Sequence, residues 1–300
     1  SGTNEFRGEW AQHVAELAAE GVISAETAAA HPALIIVGLV GSIDNDMVGT
    51  DMTIGADTAL HRILDAIDQL TSTAASHQRT FVVEVMGRHC GYLPLMAAVA
   101  GGADYVFTPE DPAGPGWQDD LAEHLRLGRE AGRRESIVLV AEGAHDRDGN
   151  ELSTQLIADT IQERTGEDAR VTILGHVQRG GTPSAYDRWM STLLGYAAVQ
   201  EILASTAEDE PVILGVRRNR ITRVPLMKAV HDTRAVKDLI AAGDYAAAQA
   251  SRGSSFSSMV GINQILSTPP QLTPEPTGES KRVAILHAGG LAPGMNTAAR

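Results

Sequence analysis

The chain has 300 residues, of which 43% are hydrophobic and 21% charged, a composition typical of a folded globular protein. Lysines and arginines number 24 against 38 aspartates and glutamates, which gives a formal net charge of −14. Because of this acidic excess, the composition excludes a broad basic surface for nucleic acid or for an anionic membrane. An anionic ligand must therefore be bound by a local cluster of cationic side chains.

The cysteine count and the lack of targeting segments bear on the cellular context. Cys90 is the single cysteine, so no internal disulfide can form, which favours a reducing compartment and predicts a packed, unreactive thiol. No apolar run approaches the roughly 20 residues of a membrane-spanning helix, and no signal peptide is recognisable. The chain starts with Ser1 rather than Met and ends at Arg300 without a terminating pattern. We therefore expect a segment of a longer, cytoplasmic protein.

Strand-like apolar segments alternate with helical patterns along most of the chain. Five compact apolar runs predict strands, at 33–40, 80–85, 137–140, 171–174 and 211–216. Five segments with helical periodicity lie between or after them, at 58–70, 92–99, 118–129, 188–204 and 226–242. Strands that are apolar on both faces belong to sheets covered on both sides. The alternation therefore predicts a doubly wound α/β fold with parallel sheets.

A boundary follows these elements. Residues 267–280 (STPPQLTPEPTGES) contain four of the thirteen prolines and no core-forming run, which predicts a linker. Residues 281–300 then begin a new strand, a glycine-rich turn and a helix, so we expect a second unit to open there. The turn at 289–296 (GGLAPGMN) offers backbone amides to an anion, but its spacing matches neither the P-loop nor the dinucleotide fingerprint.

Polar residues come directly after the first predicted strand. Residues 41–46 read GSIDND, and ligands of open α/β sheets bind at the carboxyl ends of strands. A hydroxyl and two carboxylates at such an end favour phosphoryl transfer, since one carboxylate can accept a proton while the other holds Mg²⁺ directly or through water. A simple turn is the alternative interpretation, because the same residue types are turn formers.

Three further strands also end in polar residues and glycines. The segments are MGRHCG at 86–91, AEGA at 141–144 and GHVQRGG at 175–181. Their arginines can bind a phosphate in bidentate geometry, their glycines let the backbone approach a ligand, and Glu142 can accept hydrogen bonds from a sugar hydroxyl. Each segment alone is also compatible with a surface loop. Together the four strand ends predict a site for a phosphorylated, hydroxyl-bearing ligand and are compatible with a kinase.

Taken in order, these segments resemble signatures of the 6-phosphofructokinase family in its eukaryotic-type, double-length form. The matching stretches are GLVGSIDNDMVGTDMTIGADTALHRI (38–63), SHQRTFVVEVMGRHCGYL (76–93), AEGA (141–144), RVTILGHVQRGGTPSAYDR (170–188) and SRGSSF (251–256). The resemblance implies a phosphofructokinase-type fold with two doubly wound parallel-sheet lobes. The implied lobes are an incomplete nucleotide lobe at 1–55 and 178–234 and a sugar-phosphate lobe at 56–177 and 235–266.

The resemblance also implies an activity, the transfer of the ATP γ-phosphate to the 1-hydroxyl of fructose 6-phosphate in glycolysis, with Mg²⁺ and with fructose 1,6-bisphosphate and ADP as products. Asp44 matches the family's proton acceptor, and Ser42 and Arg88 complete the implied catalytic set. Asp46 matches an acid that assists the Mg²⁺ shell, directly or through water. The residues implied to bind fructose 6-phosphate are Ser42, Ile43, Asp44, Arg79, Met86, Gly87, Arg88, Glu142, Arg170, His176, Val177, Gln178 and Arg179.

Further implications concern assembly and the second unit. Arg79 and Arg170 match arginines that reach into the site of a neighbouring subunit, so the resemblance implies a homo-oligomer, a tetramer, whose sites are completed by assembly. The second unit resembles the start of a regulatory, effector-binding half, because GGL at 289–291 stands where catalytic halves carry Gly-Gly-Asp. The unit at 1–266 is then the catalytic half.

Position 41 bears on the phosphoryl donor. Family members that use pyrophosphate carry a lysine just before the (Ser/Thr)-Ile-Asp-Asn-Asp run, whereas Gly41 stands here, as in members that use ATP. The family's Gly-Gly-Asp-Gly-Ser segment, which holds the nucleotide phosphates and the main Mg²⁺ ligand, would precede Ser1. Gly2 alone is left of that cofactor-binding stretch, so we expect this chain by itself to lack most of an ATP site and to be inactive.

Two alternatives stay open at this point. One is a pyrophosphate-dependent enzyme of the same family, which Gly41 argues against. The other is a non-catalytic half that senses sugar phosphate, which the presence of Asp44, Asp46 and Arg88 argues against.

Overall fold

The computed structural model describes residues 2–77, 79–269, 278, 284–286 and 292–299. Most of the predicted linker at 267–280 lies outside these residues. Of the predicted second unit at 281–300 they include 284–286 and 292–299, so its GGL segment at 289–291 also lies outside. Within them, no helix is both long enough and apolar enough to cross a membrane. The helices are α1 (Gly2–Ala19), α2 (Ala25–Ala30), α3 (Ala56–His77), α4 (Tyr92–Gly101), α5 (Trp117–Glu130), α6 (Thr154–Thr165), α7 (Ala185–Ala204), α8 (Leu226–Ala241), α9 (Tyr245–Ser251), α10 (Ser254–Ser267) and α11 (Met295–Ala299).

The strands are β1 (Val37–Leu39), β2 (Gly41–Ser42), β3 (Ile54–Gly55), β4 (Thr80–Val85), β5 (Tyr105–Phe107), β6 (Ser136–Ala141), β7 (Ala169–Ile173), β8 (Val212–Arg217) and β9 (Arg220–Pro225). Four of them form a fully parallel sheet in the order β5-β6-β4-β7. Val82 and Val138 lie on the face covered by α5 and α6, whereas Val83 and Leu139 lie on the face covered by α3 and α4. This alternation follows the two-residue period of a strand. The predicted doubly wound parallel architecture is therefore confirmed.

A second sheet has the order β1-β8-β9 and packs against α7 and α8. β1 and β8 are parallel, whereas β8 and β9 form an antiparallel hairpin whose turn residues Arg218 and Asn219 have φ of +50° and +59°. The predicted strand at 33–40 is too long. Its register places Val37 opposite Val212, the first residue of β8, so residues 33–36 extend past the start of that strand. β9 was not predicted from the sequence, because its arginines interrupt the apolar pattern.

One buried carboxylate joins the helices α3 and α7. Asp187, in the first turn of α7, accepts hydrogen bonds from the N–H groups of Gly55 and Thr58, both at 2.9 Å, and from the Thr58 hydroxyl. The Ser184 hydroxyl in turn accepts from the Asp187 N–H at 3.2 Å and lies 2.5 Å from Asp57 Oδ2. Because free amides at a helix start attract negative charge, Asp187 caps α3 although it is 129 residues away from Thr58. This contact holds β3 and the start of α3 against α7.

We predict that Asp187→Asn lowers the free energy of unfolding by about 2 kcal/mol, since it leaves at least one buried donor without its acceptor. Urea denaturation is the measurement, with Asp65→Asn as the matched control. Asp65 is exposed and pairs with Arg62 at 3.4 Å, so its substitution should change the free energy of unfolding by less than about 0.5 kcal/mol. Equal stability of the two variants would contradict the capping role of Asp187.

Candidate active site

The segment 41–46 consists of the short strand β2, which pairs in parallel with β3, and of a turn that follows it and is held by several hydrogen bonds. Asn45 has φ of +51°, and its Oδ1 accepts a hydrogen bond from the Thr53 N–H at 2.7 Å. The Ser42 hydroxyl accepts from the Asp44 N–H at 3.2 Å and donates to Asp46 Oδ1 at 3.3 Å. The segment is therefore a turn, and it also holds one hydroxyl and two carboxylates in a fixed arrangement.

Asp44 is a buried carboxyl whose pKa is shifted by its burial and by the charged residues around it. It is 5% exposed, and its Oδ1 atom is buried without a hydrogen-bond partner among the described residues. Burial raises the pKa of the Asp44 carboxyl, and the nearby Asp46 carboxylate raises it further, whereas the Arg179 and Arg88 guanidinium groups lower it and Glu142 adds a smaller increase. The net direction of the pKa is upward, so Asp44 is a stronger base than an exposed aspartate. Charges from all four predicted strand ends act on this one carboxyl.

The turn after β4 is held by side chains from the segments that follow the two neighbouring strands, β6 and β7. Gln178 Oε1 accepts a hydrogen bond from the Met86 N–H at 3.1 Å. Glu142 Oε2 accepts from the N–H groups of Gly87 and Arg88 at 3.4 and 3.2 Å. Because β4 lies between β6 and β7 in the sheet, residues that follow those two strands flank the turn on either side. The structure therefore brings Met86, Gly87, Arg88 and Glu142 together, as predicted from the sequence.

Two glycines make this turn sterically feasible. Gly87 has φ of +152°, and a Cβ atom there would lie 2.3 Å from the Cys90 carbonyl oxygen. Gly143 has φ of +81°, and a Cβ atom there would lie 2.4 Å from the Arg88 carbonyl oxygen. Cys90 is buried, as predicted, and burial raises the pKa of its thiol. Close backbone packing thus determines where the Arg88 side chain leaves the loop.

The segment after β7 forms a short 3-10 helix, Gly175–Arg179, which has exposed side chains and one buried side chain. His176, Val177 and Arg179 are exposed. Gln178 is 1% exposed, and its Nε2 atom donates to the first carbonyl of the same helix at 3.0 Å. Both ends of the Gln178 amide are therefore engaged within the protein. Its contacts are those of a residue that positions Met86, whereas the other three are open to a ligand.

Arg79 and Arg170 lie apart from the other predicted site residues. Arg79 precedes β4 and Arg170 is the second residue of β7, next to Phe81 in the register. Both therefore lie at the amino ends of the strands, whereas Met86 follows the carboxyl end. The Asp168 carboxylate accepts from Arg79 Nε at 2.8 Å and from Arg170 Nη2 at 2.9 Å. Within one chain, these two arginines belong to a separate surface.

The donor set near Asp46 fits part of a Mg²⁺ shell. The carboxylates of Asp44 and Asp46 and the hydroxyl of Ser42 are the oxygen ligands that Mg²⁺ prefers, and this ion often takes one or two protein carboxylates and completes its shell with water and substrate phosphates. No group of three or more His, Cys, Asp or Glu side chains suited to a metal ion occurs in the described ranges. Gly2 is exposed in the first turn of α1, and no cofactor contact can be assigned to it.

Sequence reasoning missed a buried ion pair beside the site. Arg252 Nε lies 2.8 Å from Glu110 Oε1, and both side chains are almost completely buried. The two residues are 142 positions apart, so no local pattern links them. The segment 251–256 (SRGSSF) matches the family by resemblance, and that resemblance predicts no contact for Arg252.

Comparison with known proteins gives a consistent result. A family model described as Phosphofructokinase matches residues 4–202. The liver-type ATP-dependent 6-phosphofructokinase of Bos taurus is 47% identical over 300 residues, which is 100% of this chain and 38% of that protein. A solved structure of phosphofructokinase from Saccharomyces cerevisiae superposes with a TM-score of 0.84 at 47% identity, over 87% of this chain and 35% of that one.

A second structure, of the Pichia pastoris phosphofructokinase in the T-state, superposes with a TM-score of 0.80 at 44% identity, over 89% of this chain and 28% of that one. The chain thus spans less than two fifths of each of these three relatives. The family match covers most of the elements that build the site, from the segment 41–46 to the helix after the 3-10 turn. The chain therefore belongs to the phosphofructokinase family, with the phosphofructokinase fold.

Proposed function

We propose that the protein to which this chain belongs is an ATP-dependent 6-phosphofructokinase, and that this chain carries its proton acceptor and its fructose 6-phosphate site. The observation that carries the proposal is Asp44 Oδ1, a buried carboxylate oxygen without a hydrogen-bond partner in the described part of the chain. It lies within the electrostatic influence of Arg88 and Arg179, two cations suited to phosphate. The ATP-dependent relatives support the choice of reaction.

In the proposed reaction, Asp44 accepts the proton of the sugar 1-hydroxyl. The O–H bond breaks, the hydroxyl oxygen bonds to the γ-phosphorus of ATP, and the bond from that phosphorus to the bridging oxygen breaks, which releases ADP. Arg88 stabilises the negative charge of the transferring group, and Ser42 lies beside it. The upward shift of the Asp44 pKa supports this role, because a base becomes more effective as its pKa approaches the working pH.

The exposed residues near Asp44 are proposed to hold the sugar phosphate. His176 and Arg179 would bind the 6-phosphate, and Val177 would contact the sugar. Glu142 would accept a hydrogen bond from a sugar hydroxyl, while its Oε2 atom accepts the two backbone hydrogen bonds of the turn after β4. Ile43 and Met86 would provide contacts from the two adjoining loops. Gln178 would act through Met86, since its own amide is internally bonded.

Asp46 is proposed as the residue of this chain that contacts Mg²⁺, directly or through water, with Gly2 near the nucleotide. The ion would neutralise charge on the donor phosphates. Ser42 would keep the Asp46 carboxylate in place through their 3.3 Å hydrogen bond. We also propose that residues 1–55 with 178–234 act as the nucleotide lobe and residues 56–177 with 235–266 as the sugar-phosphate lobe, a division that the separate sheets support. A cytoplasmic location is consistent with the single, buried thiol.

Asp44→Asn should lower kcat by about 10²–10⁴-fold, because an amide of the same shape cannot accept the proton. The steady-state rate of fructose 6-phosphate phosphorylation by the full-length protein is the measurement, with Asp65→Asn as an exposed control expected to match the parent. The KM for fructose 6-phosphate should stay within about threefold of the parent value. A kcat within threefold of the parent would refute Asp44 as the base and would favour a sensing role for this half.

Donor choice can be tested at Gly41. An added Cβ atom at this exposed position meets no atom within 4 Å, so a lysine there should fold without a clash. We expect Gly41→Lys to lower kcat/KM for ATP by about tenfold or more, because its ammonium group would enter the space beside the donor phosphates. Rates with ATP and with pyrophosphate are the measurement, and Gly41→Ala is the matched control. Unchanged use of ATP by the lysine variant would show that position 41 does not select the donor.

Arg79 and Arg170 are proposed to complete the site of a neighbouring subunit in a homo-oligomer, a tetramer. Their position at the amino ends of the strands, held together by Asp168, supports a role outside the site of their own chain. Asp168 would keep both guanidinium groups directed to the same partner surface.

This arrangement predicts complementation between inactive variants. Asp44→Asn and Arg170→Ala are each expected to reduce activity, whereas oligomers reassembled from a mixture should regain up to about a quarter of the parent rate. In such a mixture some sites combine an intact Asp44 from one subunit with an intact Arg170 from another. Activity after dissociation and reassembly is the measurement, and each variant reassembled alone is the control. A mixture no more active than the average of the two variants would contradict the shared site.

A further inference from the structure

The side chain of Arg252 lies between the loops that carry the proposed base and the proposed phosphate-binding arginine. Arg252 follows α9 directly, and its side chain is 6% exposed. We propose that Arg252 is a positioning residue that fixes the distance between Asp44 and Arg88. This inference rests on the proposed function for its kinetic consequence, but its structural consequence can be measured independently.

The guanidinium group makes three hydrogen bonds to three different segments. Its Nε donates to Glu110 Oε1 at 2.8 Å, its Nη1 to the carbonyl oxygen of Asp46 at 3.0 Å, and its Nη2 to the carbonyl oxygen of His89 at 2.7 Å. Asp46 is two residues after Asp44, and His89 directly follows Arg88. One rigid, planar group therefore joins the two loops at positions next to the groups that would act on the substrate.

Glu110 extends this connection to a second point of the loop after β4. Its Oε2 accepts from the Gly91 N–H at 2.9 Å, and its backbone carbonyl accepts from Gln249 Nε2 at 3.0 Å. The short Gly91–Glu110 contact requires a glycine, since a Cβ atom at position 91 would lie 2.6 Å from Thr108 Cβ. The loop after β4 is thus bonded at both His89 and Gly91 to a single buried ion pair.

The role in positioning can be separated from the role in charge balance. Removing the Arg252 charge would leave Glu110 buried and unpaired, which destabilises a protein in general. A lysine keeps the charge beside Glu110, but it concentrates its donors on one nitrogen and cannot reproduce the planar fork that reaches three acceptors. Arg252→Lys is therefore the informative variant. Arg126→Lys is the matched control, because Arg126 is exposed on α5 and its ion pairs among the described residues are with glutamates of its own helix.

Steady-state kinetics of the full-length protein test the functional half of the proposal. We expect Arg252→Lys to lower kcat by about 10–100-fold and to change the KM for fructose 6-phosphate by less than threefold, with a thermal midpoint within about 3 °C of the parent. In the Asp44→Asn background the same substitution should change the residual rate by less than threefold, because no base is left to position. An unchanged kcat, or an equal loss in both backgrounds, would overturn the proposal.

Hydrogen–deuterium exchange tests the structural half without reference to activity. Peptides that cover residues 43–48 and 86–92 should exchange at least fivefold faster in Arg252→Lys than in the parent and in Arg126→Lys, while peptides from β6 should not change. If the parent does not phosphorylate fructose 6-phosphate, the proposed function fails and this exchange result alone decides whether Arg252 couples the loops. Equal exchange of both loops in all three proteins would overturn the inference.

Discussion

Three consecutive backbone amides, those of Met86, Gly87 and Arg88, turn away from the ladder at the end of β4, and the candidate site depends on the acceptors that they find. A buried amide without an acceptor is costly, and the hydrogen bonds of the Met86 and Gly87 amides are partly buried, so acceptors on both sides stabilise the turn. Gln178 and Glu142 supply them from the segments after β7 and β6. The parallel order β6-β4-β7 therefore does more than build a core, because it places both acceptors beside the one turn that presents Arg88.

A second constraint is the balance of charge around Asp44. Burial and the neighbouring acids favour its neutral form, whereas Arg88 and Arg179 favour its charged form. A ligand phosphate would compete for the same arginines and would weaken their influence on the carboxyl. In the proposed reaction, substrate binding would then raise the proton affinity of Asp44 when this carboxylate accepts the proton. The net charge of −14 is compatible with this arrangement, because two arginines close to Asp44 are enough to bind a phosphate locally.

Much of this organisation follows from local sequence patterns. The apolar run at 80–85 predicted β4 with its observed ends, and the run at 137–140 predicted all but the outer residues of β6. The strand-end segments 41–46, 86–91, 141–144 and 175–181 predict one site, because ligands of open α/β sheets bind at the carboxyl ends of strands. Shorter or polar elements escaped prediction. β5 has three residues, and β9 carries arginines, so the apolar pattern signalled neither of them.

By itself the sequence determined the fold class, the order of strands β1, β4, β6, β7 and β8 and of helices α3, α4, α5, α7 and α8, and the residue types at the strand ends. These depend on apolar periodicity and on glycine and polar residues near in sequence. Only the tertiary structure decided which contacts hold the site together. Asp187 caps a helix 129 residues away, and Arg252 bonds to partners 142 to 206 residues away. Such hydrogen bonds arise from the packing of distant elements, and no local pattern encodes which buried donor will meet which acceptor.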